Sequence, residues 1–521
     1  MNTGETSTAA AANKWIVAVS VMLPTLIEII DTSVVNVSLD HIRGSLSASI
    51  DEATWTVTAY LVSNAIIIPL TGWLSKMFGR KCYLILSIVI FTVSSFLCGC
   101  AWSLQSLIFF RIIQGIGGGA LQPLSQAILL EAFPLKQRGT AMALFGVGIL
   151  FGPIIGPLMG GWITDNWSWQ WIFYINIPIG IISVLMCMIF ISDPSYMKKQ
   201  KMKIDYMGLA LLTLGLATLQ IVLDKGQHED WFDSGFIFWL SLISGCSLLA
   251  FIIVEWFAKD PIVHLSTFKN RSFTTGSVIA FFVFFNLFGS IVLLPILLQT
   301  QLGYTATLAG QVLGLGGIAT LITMPVVGIL MTKVNPKWLI AIGTVIAAYS
   351  TFRLSQFNLY VDYINIFLPR VFLGIGTGLL FVPLTTLTMS GIRREEMGNA
   401  TAIYNLLRNI GASIGVAFVT TMISRHAQVH QFQLTEHLSP FDRNYQMAAA
   451  AAARVFGYDG FSTDASKFAA DSLIYGNTLK QASMLAFNDT SFIIFVILLS
   501  TLPLVMLIKG GKGGGTPPGV H

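Results

Sequence analysis

Two carboxylates lie within the first apolar segment of the chain, where a charged group is costly. Glu28 and Asp31 are three residues apart, so a helix places both on nearly one face. Ionisable residues at membrane depth are rare and mark functional sites. Burial favours the neutral form of a carboxyl group, so such a group can take a proton from one side and release it on the other. A structural ion pair with a buried arginine is the alternative interpretation.

Arg111 is a basic residue in another apolar run, LIFFRIIQGIGGGALQPLSQ. A buried guanidinium needs hydrogen-bond acceptors. It could simply hold helices together, or its charge could favour the deprotonated form of a neighbouring carboxyl group.

Further polar and aromatic residues inside apolar runs predict the wall of a cavity. Phenylalanines surround Asn286, and they either form packing surface or stack against a hydrophobic ligand. Arg408 could line the cavity or interact with a helix end or a lipid headgroup. The candidate cavity residues are Asn36, Tyr60, Asn64, Gln114, Gln122, Gln126, Asn286, Phe285 and Arg408.

The composition predicts that a membrane holds these residues in place. Of the 521 residues, 54% are hydrophobic and only 11% are charged, against about 25% charged in soluble domains. Fourteen apolar runs of about twenty residues predict fourteen transmembrane helices. Nineteen lysines and arginines fall on the side of the N-terminus, which predicts that both termini are cytoplasmic. No nucleotide-binding loop of the G-x-x-x-x-G-K-[ST] type occurs, so we expect neither an ATPase nor an enzyme.

The chain also contains an internal repeat with an offset of 259 residues. Arg111 aligns with Arg370, and Gly152 and Gly156 align with Gly411 and Gly415. Parallel repeats are common in transporters. We therefore predict an all-α membrane protein of two six-helix bundles with two inserted helices. The predicted divisions are the N-terminal bundle at 1–192, a cytoplasmic loop and two inserted helices at 193–258, five helices of the second bundle at 259–424, a long periplasmic loop at 425–485, and the last helix and cytoplasmic tail at 486–521.

A glycine- and proline-rich stretch in the fifth span has four glycines spaced four residues apart (Gly148, Gly152, Gly156 and Gly160), which form a smooth strip on one helix face. Its residues are Gly148, Gly152, Pro153, Gly156, Pro157, Gly160 and Gly161. Such strips let a second helix approach closely. In the repeat, Ala412 and Val416 replace the two prolines. We therefore predict that the shared glycines are packing contacts and that Pro153, Pro157 and Gly160 have a functional role.

These motifs resemble those of the major facilitator superfamily, and in particular its fourteen-span drug:proton antiporters. The resemblance rests on Asp31–Val37 (DTSVVNV), on Arg111 with Gly115, and on the fifth-span strip. The segment LDKGQHEDWF from Leu223 and the long loop are similar to Emr-type exporters of Gram-negative bacteria.

The loop after the second span resembles the cytoplasmic gating loop of the superfamily, with one departure. Lys76 stands where the family has an aspartate, which removes the usual charge relay. Arg80 and Lys81 would then interact with helix ends or with Glu131. The loop residues concerned are Gly72, Lys76, Gly79, Arg80 and Lys81.

The resemblance implies a proton-driven exporter of hydrophobic toxic compounds in the bacterial inner membrane, working by alternating access. Asp31, alone or with Glu28, would exchange the proton, and Arg111 would modulate that exchange. No cofactor is expected beyond the proton gradient. The expected partners are an EmrA-like membrane-fusion adaptor and a TolC-like outer-membrane channel, and the long loop independently suggests docking. Proton-coupled uptake of a polar solute and a non-transporting scaffold or sensor are the alternatives.

Overall fold

The computed structural model describes residues 13–193, 205–258, 260–436, 438–439, 441–458 and 461–508. Side chains at 50, 136, 153, 154, 157, 158, 306 and 307 fall outside this description. The predicted functional roles of Pro153 and Pro157 therefore concern side chains outside the described residues. The long helices are α1 (Lys14–Val37), α2 (Ile50–Phe78), α3 (Arg80–Gly99), α4 (Leu104–Ala132), α5 (Arg138–Asn166), α6 (Asn176–Phe190), α7 (Tyr206–Lys225), α8 (Gly235–Phe257), α9 (Arg271–Ile296), α10 (Ala306–Leu330), α11 (Pro336–Leu354), α12 (Tyr363–Met389), α13 (Met397–Thr435), α14 (Arg443–Tyr458) and α15 (Thr463–Leu499).

The secondary-structure elements of the described residues are helices, and twelve of them are long and apolar enough to cross a membrane. Helices α5 and α11 also belong to the predicted set, so the structure is compatible with fourteen spans. The chain is therefore a multi-pass membrane protein, as the composition predicts.

Local sequence determines where these helices start and stop. Ser49 and Glu52 form a capping box at the start of α2, which satisfies two otherwise unpaired backbone donors. Gly79 separates α2 from α3 with a φ of 87°, a left-handed conformation that favours glycine. Helix α4 is interrupted by a turn at 119–120, within the run of glycines that follows Arg111.

The helices form two bundles joined along a common interface. Helices α1–α6 form the first bundle, and α9–α13 with α15 form the second. The bundles meet where α2 packs on α13 and α5 packs on α10. A methyl group added at Gly72 would come within 2.7 Å of the Asn399 Cα, so α2 and α13 almost touch. These contacts lie at the helix ends that join the lysine- and arginine-rich loops, called the basic ends below.

The inserted pair α7–α8 packs beside this interface. Asp224 of α7 accepts a hydrogen bond from Thr58 of α2, and Gln220 donates to Ser413 of α13 at 3.2 Å. Helix α7 therefore contacts both bundles.

The predicted long loop is largely helical. Helix α13 continues to Thr435 and α15 begins at Thr463, whereas the apolar runs predict boundaries at 424 and 486. Counting apolar residues misses these extensions because they are rich in polar residues. Between them, α14 packs on α15. Tyr445 of α14 donates a hydrogen bond to Asp471 of α15 at 2.7 Å, and Gln431 of α13 donates to Tyr475 of α15 at 2.9 Å. The described residues within 425–485 are called the outer hairpin below.

Candidate functional site

Asp31 is held in a fully buried ion pair. Its Oδ2 lies 2.6 Å from Nη1 of Arg111, and both side chains are 0% exposed. Its Oδ1 accepts hydrogen bonds from Gln114 at 2.9 Å and Asn176 at 2.8 Å. Arg111 also donates to the Thr56 carbonyl at 3.1 Å. This network ties α1 to α2, α4 and α6, which matches the structural ion pair that the sequence analysis leaves open.

Glu28 has a different environment, although it lies only one turn away. Its carboxylate accepts hydrogen bonds from Gln122 at 2.7 Å, Asn64 at 3.2 Å and Tyr60 at 3.3 Å. These donors are neutral, and no described basic side chain forms an ion pair with Glu28. Protonating Glu28 therefore breaks no ion pair, whereas protonating Asp31 would break its pair with Arg111 and leave that guanidinium buried without a counter-charge.

The glycines of α4 bring the Glu28 partners into reach. A methyl group at Gly118 would lie 2.6 Å from the Tyr60 hydroxyl, and one at Gly119 would lie 2.6 Å from the Asn64 carbonyl. Helix α2 can thus lie directly against α4. This close approach carries Tyr60 and Asn64 to the carboxylate of α1.

Glu28 borders a cavity of about 80 Å³ between the two bundles. Four helices of the first bundle (α1, α2, α4 and α5) and two of the second (α9 and α13) line it. Asn64 and Gln122 face it from the first bundle, and Phe284 and Arg408 from the second. The cavity thus joins a carboxylate, amides, aromatic rings and a guanidinium at the interface that alternating access would open.

Arg408 forms the basic wall of this cavity. Its side chain is buried, its guanidinium lies 4.0 Å from the centre of the Phe284 ring, and it donates to Asn405 at 2.8 Å. Asn405 in turn donates to Gln126 across the bundle interface. The lipid-headgroup alternative for Arg408 does not fit this burial.

Several predicted cavity residues lie elsewhere. Gln114 binds Asp31 and Arg111, and Phe285 packs against Phe418 at 5.3 Å between ring centres. Asn286 is buried outside the cavity lining, and Asn36 is exposed near the end of α1. The cavity uses Phe284 and Phe288 instead of Phe285, because the sequence does not fix how α9 is rotated about its axis.

The structure also adds residues that the sequence analysis misses. Asn176 binds Asp31 and Asn405 binds Arg408. Each is a buried amide within an apolar helix, which is the same signal that selects Asn64 and Asn286.

The glycine strip of α5 packs directly on α1. Added methyl groups at Gly152 and Gly156 would collide with Ile29 and Ser33, and one at Gly160 would come within 3.1 Å of Val34. Gly160 therefore shares the packing role of its neighbours, while Gly161 faces open space. The contacted residues flank Glu28 and Asp31, so the strip sets the position of the helix that carries both carboxylates.

At the basic ends, the gating-loop residues form contacts within the first bundle and with the segment that precedes the second. Arg80 forms a buried ion pair with Glu131, and Lys81 donates to the Met188 carbonyl at 2.6 Å near the end of α6. Both alternatives for replacing the missing aspartate are thus used. Lys76 lies 3.2 Å from Nε2 of His264, in the segment before α9. Burial, and then the nearby Lys76 charge, lower the pKa of His264 from its usual value, which favours the neutral imidazole.

Comparisons with known proteins agree with this arrangement. The sequence profile described as Major Facilitator Superfamily matches residues 21–416. The chain is 38% identical over 429 residues to the multidrug export protein EmrB of Haemophilus influenzae, covering 82% of this chain and 84% of that protein. It is 36% identical over 506 residues to the multidrug export protein EmrB of Escherichia coli K12, covering 96% and 97%. The crystal structure of the human organic anion transporter MFSD10 shares the fold, with a TM-score of 0.57 at 12% identity over 93% of this chain and 99% of that one.

Proposed function

Since the chain belongs to the Major Facilitator Superfamily, we propose that it exports hydrophobic, drug-like compounds in exchange for protons, with Glu28 as the proton-exchanging group. The proposal rests on one observation above all. Glu28 is a buried carboxylate with only neutral hydrogen-bond partners, at a cavity between the two bundles. The multidrug exporters named EmrB, to which the chain is similar over most of its length, support the substrate class.

Proton and substrate are exchanged because both compete for the Glu28 carboxylate. Deprotonated Glu28 offers a negative charge to a lipophilic cation, and the rings of Phe284 and Phe288 offer apolar surface. Uptake of a proton neutralises Glu28 and weakens this attraction. Since neither state disturbs the Asp31–Arg111 pair, α1 stays anchored while Glu28 alternates between proton and substrate.

In the structure the bundles are in contact at the basic ends, which we place at the cytoplasm. Separation of α2 from α13 and of α5 from α10 would open the cavity to that side, where substrate replaces the proton. Closure then returns the molecule to the arrangement described here, where a proton from the opposite side displaces the substrate. We place the chain in the inner membrane, with both termini in the cytoplasm.

Dye efflux and vesicle uptake test this function. Cells that lack other pumps and express the protein should extrude a lipophilic cationic dye such as ethidium, and an uncoupler should stop the extrusion. Proteoliposomes with an acidic interior should accumulate ethidium, because outward proton flow drives inward dye movement in an antiporter. Dye extrusion that persists with the uncoupler would contradict proton coupling, and accumulation only with an acidic exterior would favour the uptake alternative.

We further propose that the outer hairpin docks a periplasmic adaptor of the EmrA type, which leads to a TolC-like channel. Exposed aromatic side chains support this, since Phe432, Tyr458 and Phe468 are 69%, 91% and 77% exposed and aromatic residues are enriched in interfaces. Phe432→Ser with Phe468→Ser should reduce recovery of a co-expressed adaptor with the purified protein. Phe257→Ser, at an exposed aromatic residue on the basic side, is the matched control. Equal adaptor recovery from all variants would exclude this surface.

A further inference from the structure

Three side chains with metal-binding atoms meet where the outer hairpin joins the membrane part. His426 and His430 lie one turn apart on α13, and Asp489 lies on α15. Nδ1 of His426 is 3.0 Å from Oδ2 of Asp489, and Nε2 of His430 is 2.7 Å from the same oxygen. All three ligand atoms lie within 4.8 Å of one another. They converge on one point from two helices that are distant in sequence.

The spacing fits a small divalent ion. Zinc binds imidazole nitrogen and carboxylate oxygen at about 2.0–2.2 Å in a tetrahedron, which separates neighbouring ligand atoms by about 3.3 Å. The observed separations of 2.7 and 3.0 Å need to widen by only a few tenths of an ångström. Two histidines at i and i+4 on one helix face also occur in zinc sites. The side chains are therefore already arranged as ligands.

The chemistry of the cluster favours zinc over harder ions. Two imidazoles and one carboxylate suit zinc, whereas magnesium and calcium prefer oxygen ligands alone. The three side chains are 32%, 20% and 43% exposed, so an ion can reach them from the aqueous phase. Asp489 pairs with the two histidines, and no described lysine or arginine forms an ion pair with it. An ion would therefore displace only the contacts within the cluster. With three protein ligands, water can fill the fourth position.

We propose that His426, His430 and Asp489 bind a zinc ion that fastens α13 to α15. The same α13 helix carries Arg408 at the cavity, eighteen residues before His426 and therefore about 27 Å away along the helix. The ion would fix the position of the outer hairpin relative to this helix. The proposal does not depend on the transport function.

Zinc titration of the purified, tag-free full chain tests the site. We expect calorimetry to detect one tight zinc site in the wild type. His430→Gln should weaken zinc binding by more than about tenfold, because mutating a residue that only hydrogen-bonds to a metal ligand already weakens binding by about that factor. His228→Gln, at an exposed histidine outside the cluster, should bind zinc like the wild type. Cobalt in the same site should give the visible absorption of a tetrahedral nitrogen–oxygen complex.

Thermal unfolding gives a second measurement that does not require calorimetry of each variant. Zinc should raise the unfolding temperature of the wild type and His228→Gln, because it binds the folded state, and should not raise that of Asp489→Asn. This conservative variant keeps the side-chain shape if His430→Gln does not fold. Equal zinc affinity in the wild type and both cluster variants, or no zinc binding by the wild type, would overturn the proposal.

Discussion

Helices α1 and α9 open the two bundles and pack in the same way, but their chemistry differs. Each lies against glycines of a later helix, Gly152 and Gly156 for α1 and Gly411 and Gly415 for α9. Helix α1 carries two buried carboxylates, whereas α9 has no acidic residue and contributes phenylalanines to the cavity. The two helices thus share a packing scheme, but only α1 contributes buried carboxylates.

The two arginines related by the repeat show the same division. Arg111 forms a buried ion pair with Asp31. Arg370 is also buried, but no described acidic residue pairs with it, and it lies beside Gly316 of α10. Both bundles therefore bury an arginine at this position, but only the first bundle places a carboxylate against it.

Removing the Glu28 charge should have the largest effect on transport. Glu28→Gln should reduce pH-gradient-driven ethidium accumulation in proteoliposomes to background, because a neutral amide cannot exchange a proton. Glu255→Gln is the matched control, since Glu255 is a buried glutamate of α8 that binds the Ile262 backbone N–H. Accumulation by Glu28→Gln at the wild-type level would contradict the assignment.

Breaking the Asp31–Arg111 pair should mainly affect folding. Asp31→Asn leaves the Arg111 charge buried without a counter-charge, and loss of one partner of a buried pair costs about 3–5 kcal/mol. Arg370→Leu should destabilise less, because no ion pair is lost. Thermal unfolding in detergent compares the two variants, and an equal or larger loss for Arg370→Leu would contradict the division between the bundles.

Substitutions at the glycines that contact α1 and α9 should have a smaller effect. Gly152→Ala should push α1 away through Ile29, at a cost of about 1–3 kcal/mol for overpacking, and should reduce the dye moved per proton. Gly411→Ala meets the Phe281 carbonyl at 2.5 Å, so it should lower stability at least as much without changing that ratio. Proton and dye fluxes measured together in vesicles provide the ratio. A changed ratio in Gly411→Ala alone would show that coupling lies in the second bundle.

The smallest expected effect concerns His264. Because its pKa is lowered in the folded protein, the unfolded chain binds more protons, so stability should fall as pH decreases below about 6.5, the usual histidine value. His264→Gln should reduce the change in unfolding temperature between pH 7.5 and pH 5.5. This range extends about one pH unit on either side of the usual histidine pKa. His41→Gln, at the other end of the helices, should keep the wild-type slope. An unchanged slope in His264→Gln would exclude this contribution.

The sequence predicts the helical membrane fold and the polar residues of α1 and α4, because apolar length and buried charge are local properties. It does not separate Glu28 from Asp31, since residues three apart share a helix face. Tertiary partners make the distinction, as Asn176 and Arg111 reach Asp31 alone. The choice between Phe284 and Phe285 likewise depends on how α9 is rotated in its bundle.

The polar helical extensions of α13 and α15 escape prediction for a different reason. Apolar runs reveal only the part of a helix that contacts lipid or the core. Helix α14 has no buried residue among those described, so its pattern gives no packing signal. The cluster at Asp489 was not predicted because its ligands come from segments about sixty residues apart.

Proton release on substrate binding tests the assignment of Glu28 most directly. Ethidium added to the purified protein in weakly buffered detergent solution, near neutral pH, should release protons from the wild type and from Glu255→Gln. Glu28→Gln should bind ethidium, followed by its fluorescence, without releasing protons. Proton release by Glu28→Gln equal to that of the wild type would show that another group exchanges the proton and would contradict the account.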